Sequence, residues 1–179
     1  TRIWWMGIAL ALLAGCAGKP RAPDWQLNAR GALERYVAAA MNGDAKVEMS
    51  EFERARRELS ATGQPGLVAR AELPRCAVRV ASLNLEPCVG FDALRPDSPA
   101  PERAYADFLA GRITPPDVAL LPPQYGAVAR GQEDAAAVKA VADPLSRLVA
   151  AGVLFRPGRA RPEVLELASD TASAPGVAR

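Results

Sequence analysis

Apolar side chains recur at helical spacing in the first part of the chain. Between residues 26 and 42, and again between 46 and 61, they stand three and four positions apart, which places them on one face of an α-helix. These positions are Leu33, Tyr36, Val37, Ala40 and Met41 in the first stretch and Phe52, Ala55 and Leu59 in the second. The pattern predicts two helices joined by the short Gly43-Asp44 turn, and helices joined so closely should lie antiparallel.

The helical pattern continues in shorter pieces. Residues 67–85 indicate a third helix that Pro74 should kink or split, because proline lacks a backbone donor. The proline-rich residues 91–101 are predicted to be a loop and a candidate seam between two halves. Further helical segments are predicted over 102–110, 114–121, 124–130, 132–142, 144–151 and 162–172. The fold class predicted is all-α: one irregular domain of six to eight helices over 26–172, followed by a flexible tail at 173–179.

The extreme N-terminus has a different pattern. Arg2 precedes the apolar run Ile3–Leu13, whose eleven residues are fewer than the roughly 20 that a membrane span needs. A basic residue, a short apolar run and small residues are typical of a secretory signal, here residues 1–15. Leu13-Ala14-Gly15-Cys16 resembles the lipobox of bacterial lipoproteins. The alternatives are a signal cleaved elsewhere and a chance cysteine after an apolar helix.

The lipobox resemblance implies an anchor and a location. It implies that Cys16 becomes the first residue of the mature chain and carries acyl chains that hold it in a membrane. Many such proteins stay at the inner membrane through an Asp after the cysteine, whereas Ala17 follows here. We therefore expect an outer-membrane lipoprotein facing the periplasm on a tether of residues 16–25. The mature chain is also similar to proteobacterial lipoproteins of no assigned activity, which supports the location alone.

The first helical pair carries a second resemblance. In a tetratricopeptide repeat, a glycine at the turn precedes a phenylalanine by nine residues and an alanine by twelve, as Gly43, Phe52 and Ala55 do here. Glu48 and Ser60 depart from the small residue and the proline of that motif. Only one hairpin of about 35 residues matches, whereas arrays need about three repeats. The alternative is an unrelated helical hairpin.

Composition narrows the chemistry. Lys and Arg number 22 against 20 Asp and Glu, and this balance argues against nucleic acid as a partner. The chain has no histidine, which excludes Ser-His-Asp and Cys-His catalysis as well as zincin and Cys2His2 zinc motifs. We therefore predict no catalytic residue, no metal site and no cofactor.

Two cysteines follow Cys16. In an oxidising periplasm, Cys76 and Cys88 pair more readily than they stay free. Pro87 cannot continue the helix that carries Cys76, so the chain must turn just before Cys88. The sequence predicts a disulfide between them.

Two segments are candidates for binding. The connector between 115 and 125 is unusually apolar, and it either forms a partner surface or packs as core. Its apolar residues are Val118, Leu120, Leu121 and Tyr125. The basic turn with Arg156, Arg159 and Arg161 either contacts phosphate groups of lipid or lipopolysaccharide, or is a solvated loop.

The function predicted is a lipid-anchored interaction or scaffold protein, accessory to an envelope assembly. Its expected partners are the membrane, through the N-terminal lipid, and a protein of the envelope. The alternative is an enzyme acting on cell-wall polymer, which needs two carboxylates about 5–9 Å apart in a cleft. A third reading is a small-ligand carrier, which a deep apolar cavity would favour, whereas an exposed apolar groove would favour the scaffold.

Overall fold

All regular structure in the computed structural model, which describes residues 22–174, is helical. Within this range there are nine α-helices and no strand, and six of the helices have ten residues or more, so the all-α class is confirmed. The helices are α1 Asp24–Met41, α2 Ala45–Ser60, α3 Pro65–Ala81, α4 Val89–Asp92, α5 Ala100–Leu109, α6 Gly126–Ala129, α7 Ala135–Lys139, α8 Pro144–Phe155 and α9 Pro162–Ser173. Three 3-10 turns cover Arg95–Asp97, Pro115–Leu120 and Pro123–Tyr125.

Helices α1 and α2 form the predicted antiparallel hairpin. Asn28 donates to Glu58 at 3.4 Å near one end, and Arg35 pairs with Glu51 at 2.9 Å nearer the turn. Residue numbers thus rise along one helix as they fall along the other. Asp44 begins α2 as its N-cap, because its side chain accepts a hydrogen bond from the backbone N–H of Val47 at 3.1 Å. The hairpin is present, whereas its likeness to a tetratricopeptide repeat stays a prediction.

The buried face of α1 differs from the predicted one. Its buried residues are Ala29, Ala32, Tyr36 and Ala39. Of the predicted stripe only Tyr36 is fully buried, while Leu33, Val37, Ala40 and Met41 are half-buried. The small alanines let the backbone of α1 approach its neighbours closely, which moves the larger side chains to the edges of the contact. Helix α1 also begins two residues earlier than predicted, so Trp25 belongs to the helix and not to the tether.

Helix α3 lies at the centre of the described chain. It packs against α1, α2, α5 and α8. Pro74 stands inside it, yet the helix is continuous from Pro65 to Ala81, so of the predicted kink or split the split is wrong. Neighbours on several sides hold this helix together where an isolated one would break.

Helix α8 runs past its predicted end. It continues through Gly152 to Phe155, and its start is capped by Asp143, which accepts from the N–H of Ser146 at 2.7 Å. A Cβ on Gly152 would lie 2.3 Å from the carbonyl oxygen of Val80 on α3. This glycine therefore allows close packing of two helices and does not end one. Phe155, the last residue of the helix, is 40% exposed.

The proline-rich residues 91–101 are not a simple loop. They contain the end of α4, the 3-10 turn Arg95–Asp97 and the start of α5. Phe91 is fully buried in the largest apolar cluster, which joins residues of α3, α5 and α8. An ion pair between Arg95 and Asp107 fixes the turn to α5. Residues 132–142 shorten to the one-turn helix α7, and Ser173 of the predicted tail belongs to α9. Residues 175–179 lie outside the described residues.

Candidate interaction surface

An apolar hollow opens between α1 and α3. Its volume is about 510 Å³, within the usual range of ligand pockets. Apolar side chains of three helices line it: Trp25, Leu33 and Val37 of α1, Leu59 of α2, and Leu67 and Pro74 of α3. We call this the first hollow. Trp25, Leu33 and Val37 are spaced by eight and four residues, so they form a stripe along α1 beside its buried alanines.

Part of this hollow could be predicted from the sequence and part could not. Leu33 and Val37 were expected in the core, because periodicity alone does not distinguish a covered stripe from an open one. Trp25 was assigned to the tether, and it packs half-buried on the cluster of Ala29, Leu59 and Val68. The α1 residues of the hollow, Trp25, Leu33 and Val37, are thus only half-covered by the rest of the described chain.

A second hollow lies between α3, α5 and residues 120–122. Its volume is about 390 Å³, and it is lined by Leu73, Pro101, Glu102, Tyr105, Leu120, Leu121 and Pro122, together with Arg70. Arg70 also borders the first hollow, so the two hollows flank one arginine on the outer face of α3. We call the hollow lined by Leu73, Tyr105 and Leu120 the second hollow.

The predicted partner residues divide between core and surface. Leu121 and Tyr125 are buried, Val118 is half-buried, and Leu120 is 38% exposed. Tyr125 packs against Phe108 with ring centroids 4.9 Å apart, and burial raises the pKa of its hydroxyl. Of the two alternatives, a partner surface or packing as core, Leu121 and Tyr125 therefore follow the second. Leu120 and one edge of Leu121 contribute to the second hollow.

The three arginines of the basic turn do not form one patch. Arg156 turns inward and donates to the carbonyl oxygen of Leu85 at 2.8 Å. Burial, with a smaller effect of Arg112, lowers the pKa of Arg156. Arg159 pairs with Glu133 at 3.0 Å, and Arg161 precedes α9 in solvent. Two of the three side chains thus serve contacts within the chain.

Cys76 and Cys88 are joined as a disulfide in the structure, with their Cα atoms 5.7 Å apart. That separation is within the usual range for such bridges. The bridge connects α3 to the residue before α4, so it closes a loop of about a dozen residues. A neighbouring cavity of about 90 Å³ is bordered by Arg79, Arg112 and Arg156. It is small for an organic ligand.

Intact-mass measurement tests the bridge. We expect protein taken from the envelope and denatured without reductant to leave Cys76 and Cys88 unalkylated, and each to react after reduction. In the chain-entropy model, a disulfide between residues 12 positions apart stabilises the folded chain by about 3 kcal/mol. Cys88→Ser should therefore lower the free energy of unfolding by about that amount. Two thiols that alkylate without reductant would contradict the bridge.

A carboxylate is buried beneath the hairpin. Glu72 on α3 is 2% exposed, and its oxygens lie 3.8 Å from Arg56 and 3.7 Å from Arg75, too far for hydrogen bonds. It packs against Gly90, where a Cβ would lie 2.3 Å from Oε2. Burial raises the pKa of Glu72, the two arginines lower it less, and Glu53 adds to the rise. A carboxylate placed between two arginines differs from the carboxylate pair that cleaves a sugar polymer.

The raised pKa of Glu72 predicts a pH-dependent stability. The folded chain binds this proton more tightly than the unfolded chain, so the free energy of unfolding should fall as pH rises from about 4.5 through the raised pKa. Glu72→Gln should remove that fall and be more stable than the wild type at neutral pH. Urea denaturation at several pH values measures it, with the exposed Glu166→Gln as control. Parallel curves for Glu72→Gln and the wild type would refute the prediction.

Comparison with known proteins adds no relative. No protein-family model matches the chain, and no curated protein or solved structure is similar to it. Among residues 22–174, no helix combines the length and the apolar character that crossing a membrane requires. Within the same residues, no three Cys, Asp or Glu side chains are grouped so that they could hold a metal ion. The hollows and the N-terminal sequence are therefore the features of this chain that bear on its function.

Proposed function

We propose that this protein is a lipid-anchored interaction protein of the periplasm, accessory to an envelope assembly, and that it binds its partner at the first hollow. The observation that carries the proposal is the open apolar surface between α1 and α3. Apolar surface that is contiguous and bordered by polar side chains is typical of interaction sites and ligand grooves. Trp25, Leu33 and Val37 present such a surface from one helix.

The anchor rests on the sequence alone. Leu13-Ala14-Gly15-Cys16 lies outside the described residues, and its resemblance to a lipobox supports lipidation of Cys16 and an outer-membrane location. A lipid there would hold Asp24, where α1 begins, eight residues from the anchor. The first hollow, which starts at Trp25, would then stay close to the membrane.

The open shape of the first hollow favours a docking surface over a carrier site. A carrier typically encloses most of its ligand's surface. Here the lining side chains Trp25, Leu33 and Val37 remain half-exposed along the outer edge of α1. Such a surface suits a partner that brings its own apolar side chains, as in helix-in-groove recognition.

A charge placed inside the hollow tests the proposal. In Leu33→Glu, an acidic group replaces an apolar side chain of the first hollow, so we expect the partner to be lost from detergent-solubilised envelope purified on this protein. Leu27→Glu is the matched control, because Leu27 lies on the same helix, is 48% exposed and does not line the hollow. Both variants should melt near the wild type. Equal recovery of the same proteins with both variants would refute the proposal.

The anchor has its own test. Cys16→Ser removes the acceptor of the lipid, so we expect the variant to lose its bound acyl chains and to leave the outer-membrane fraction. Fractionation combined with mass spectrometry of the N-terminal peptide measures both effects. A variant that keeps its acyl chains and its membrane location would show that the lipobox interpretation is wrong.

A further inference from the structure

The backbone of α4 covers the buried carboxylate of Glu72. A Cβ on Gly90 would lie 2.3 Å from Glu72 Oε2 and 2.9 Å from Oε1, so a larger residue at this position would displace one of the two. The side chain of Glu72 is 2% exposed, and its Oε1 has no hydrogen-bond partner among the described residues. Gly90 is thus part of the wall that keeps water away from Glu72.

The disulfide between Cys76 and Cys88 holds this part of α4 against α3. Cys76 lies one helical turn after Glu72 on α3, and Cys88 immediately precedes α4, two residues before Gly90. The bridge therefore joins the two segments beside the place where Gly90 covers the carboxylate.

Polar contacts also hold residues 82–88. The carbonyl oxygen of Leu85 accepts a hydrogen bond from Arg156 at 2.8 Å, and Glu86, whose side chain is 74% exposed, pairs with Arg79. An ion pair this exposed contributes little to stability. Without the bridge, these contacts would leave the start of α4 only weakly attached to α3.

Phe91 limits how far α4 can move. Its side chain is fully buried in the largest apolar cluster, with residues of α3, α5 and α8. Burial of a phenylalanine is worth about 1.5–3 kcal/mol, so the end of α4 should stay in the core when the bridge opens. The segment that the bridge alone constrains is therefore residues 82–90.

The bridge is reached more easily from Cys88 than from Cys76. Cys88 is half-buried, whereas Cys76 is 7% exposed. Both cysteines border the cavity of about 90 Å³ beside the bridge. An incoming thiolate would therefore meet Cys88 first.

We infer that the bridge is a redox-sensitive latch, which a dithiol reductant opens so that residues 82–90 move away from α3 and Glu72 meets water. A thiolate of the reductant attacks Sγ of Cys88, the S–S bond breaks, and Cys76 leaves as a thiolate. The second thiolate of the reductant then displaces Cys88 from the mixed disulfide. The reductant supplies two electrons and ends as a disulfide, and its two protons end on Cys76 and Cys88.

The charge of Glu72 favours the open form. Burial raises the pKa of Glu72 while the bridge is closed, and contact with water would return that pKa toward its ordinary value. Opening therefore releases a proton when the pH lies between the two values, so a rise in pH favours opening. The neighbouring titratable groups are Arg56 and Glu53 of α2, Arg75 of α3, Tyr36 of α1 and the exposed Asp92 of α4.

Hydrogen exchange measured by mass spectrometry tests the latch. The full mature protein, purified from the envelope in detergent, is compared before and after reduction with dithiothreitol. We expect the backbone amides of residues 82–90 to exchange about tenfold faster after reduction, because opening of the bridge frees this segment locally. The amides of α5 and α8 should keep their rates, since the core that contains Phe91 stays packed.

Glu72→Gln separates the effect of the charge from that of the bridge. At pH 8, residues 82–90 of the reduced variant should exchange about threefold more slowly than those of the reduced wild type, because a neutral amide gains less from water than a carboxylate does. The difference should shrink at pH 4.5. Glu166→Gln, at an exposed position of α9, is the control and should match the wild type at both pH values.

Three outcomes would overturn the inference. The first is exchange of residues 82–90 that reduction leaves unchanged. The second is an equal loss of protection in all helices, which would mean that reduction unfolds the chain. The third is identical exchange of the reduced wild type and reduced Glu72→Gln at pH 8, which would show that Glu72 stays covered. The first hollow takes no part in this experiment, so the latch and the proposed function fail separately.

Discussion

Gly152→Ala is expected to destabilise the protein by about 1–3 kcal/mol, although alanine is the better helix former. The reason is a steric clash between α8 and α3. The new Cβ would lie 2.3 Å from the carbonyl oxygen of Val80 and 2.9 Å from its Cγ1, so α8 would have to move away from α3. Because α3 is the central helix, such a shift would loosen the largest apolar cluster. Urea denaturation measures the change.

Gly31→Ala is the matched control. Gly31 also lies inside a helix, α1, but the nearest atom to a new Cβ would be Arg35 Nη1 at 3.3 Å, the end of a flexible side chain. Here the helix preference of alanine should dominate and raise stability by about 0.5–1 kcal/mol. The two substitutions should therefore have opposite signs. If both stabilise the protein, α3 and α8 are not packed as described.

Phe52→Ala is expected to cost about 3–5 kcal/mol, as for a core aromatic. Phe52 is 5% exposed and holds the hairpin from α2. Its ring centroid is 5.5 Å from that of Tyr36 on α1, and the guanidinium carbon of Arg75 on α3 lies 4.8 Å from it. Truncation would remove contacts to two other helices, α1 and α3, at once. Thermal and urea denaturation measure the loss.

Met49→Ala controls for changes on the same helix. Met49 is 67% exposed, so its truncation should change stability by no more than about 0.5 kcal/mol. A melting temperature unchanged by Phe52→Ala would show that Phe52 is exposed and would make it a candidate partner contact.

The class of the fold could be predicted because its signal is local. The spacing of Phe52, Ala55 and Leu59 predicted the buried face of α2, and α8 begins at the predicted residue 144. The errors arose where contacts with residues distant in the sequence determine the structure. Proline and glycine residues usually end helices. Here packing around α3 keeps that helix continuous through Pro74, and Gly152 lets α8 approach α3 closely.

The candidate surface was harder to predict for the same reason. Leu33 and Val37 look like core residues in the sequence, and only the position of α3 relative to α1 leaves them half-covered. The ion pair between Arg70 and Glu102 joins residues 32 positions apart, and no local pattern marks that pair. By contrast, the pairing of Cys76 with Cys88 needed only the count of cysteines and the turn at Pro87.

Site-specific photo-crosslinking in intact cells tests the central claim most directly. A photoreactive residue at position 33 would sit in the first hollow, and the same residue at position 27 would lie on the same helix outside it. We predict that irradiation yields one discrete adduct with an envelope protein from position 33 and none from position 27. The same adduct from both positions, or from neither, would contradict a docking site at the first hollow.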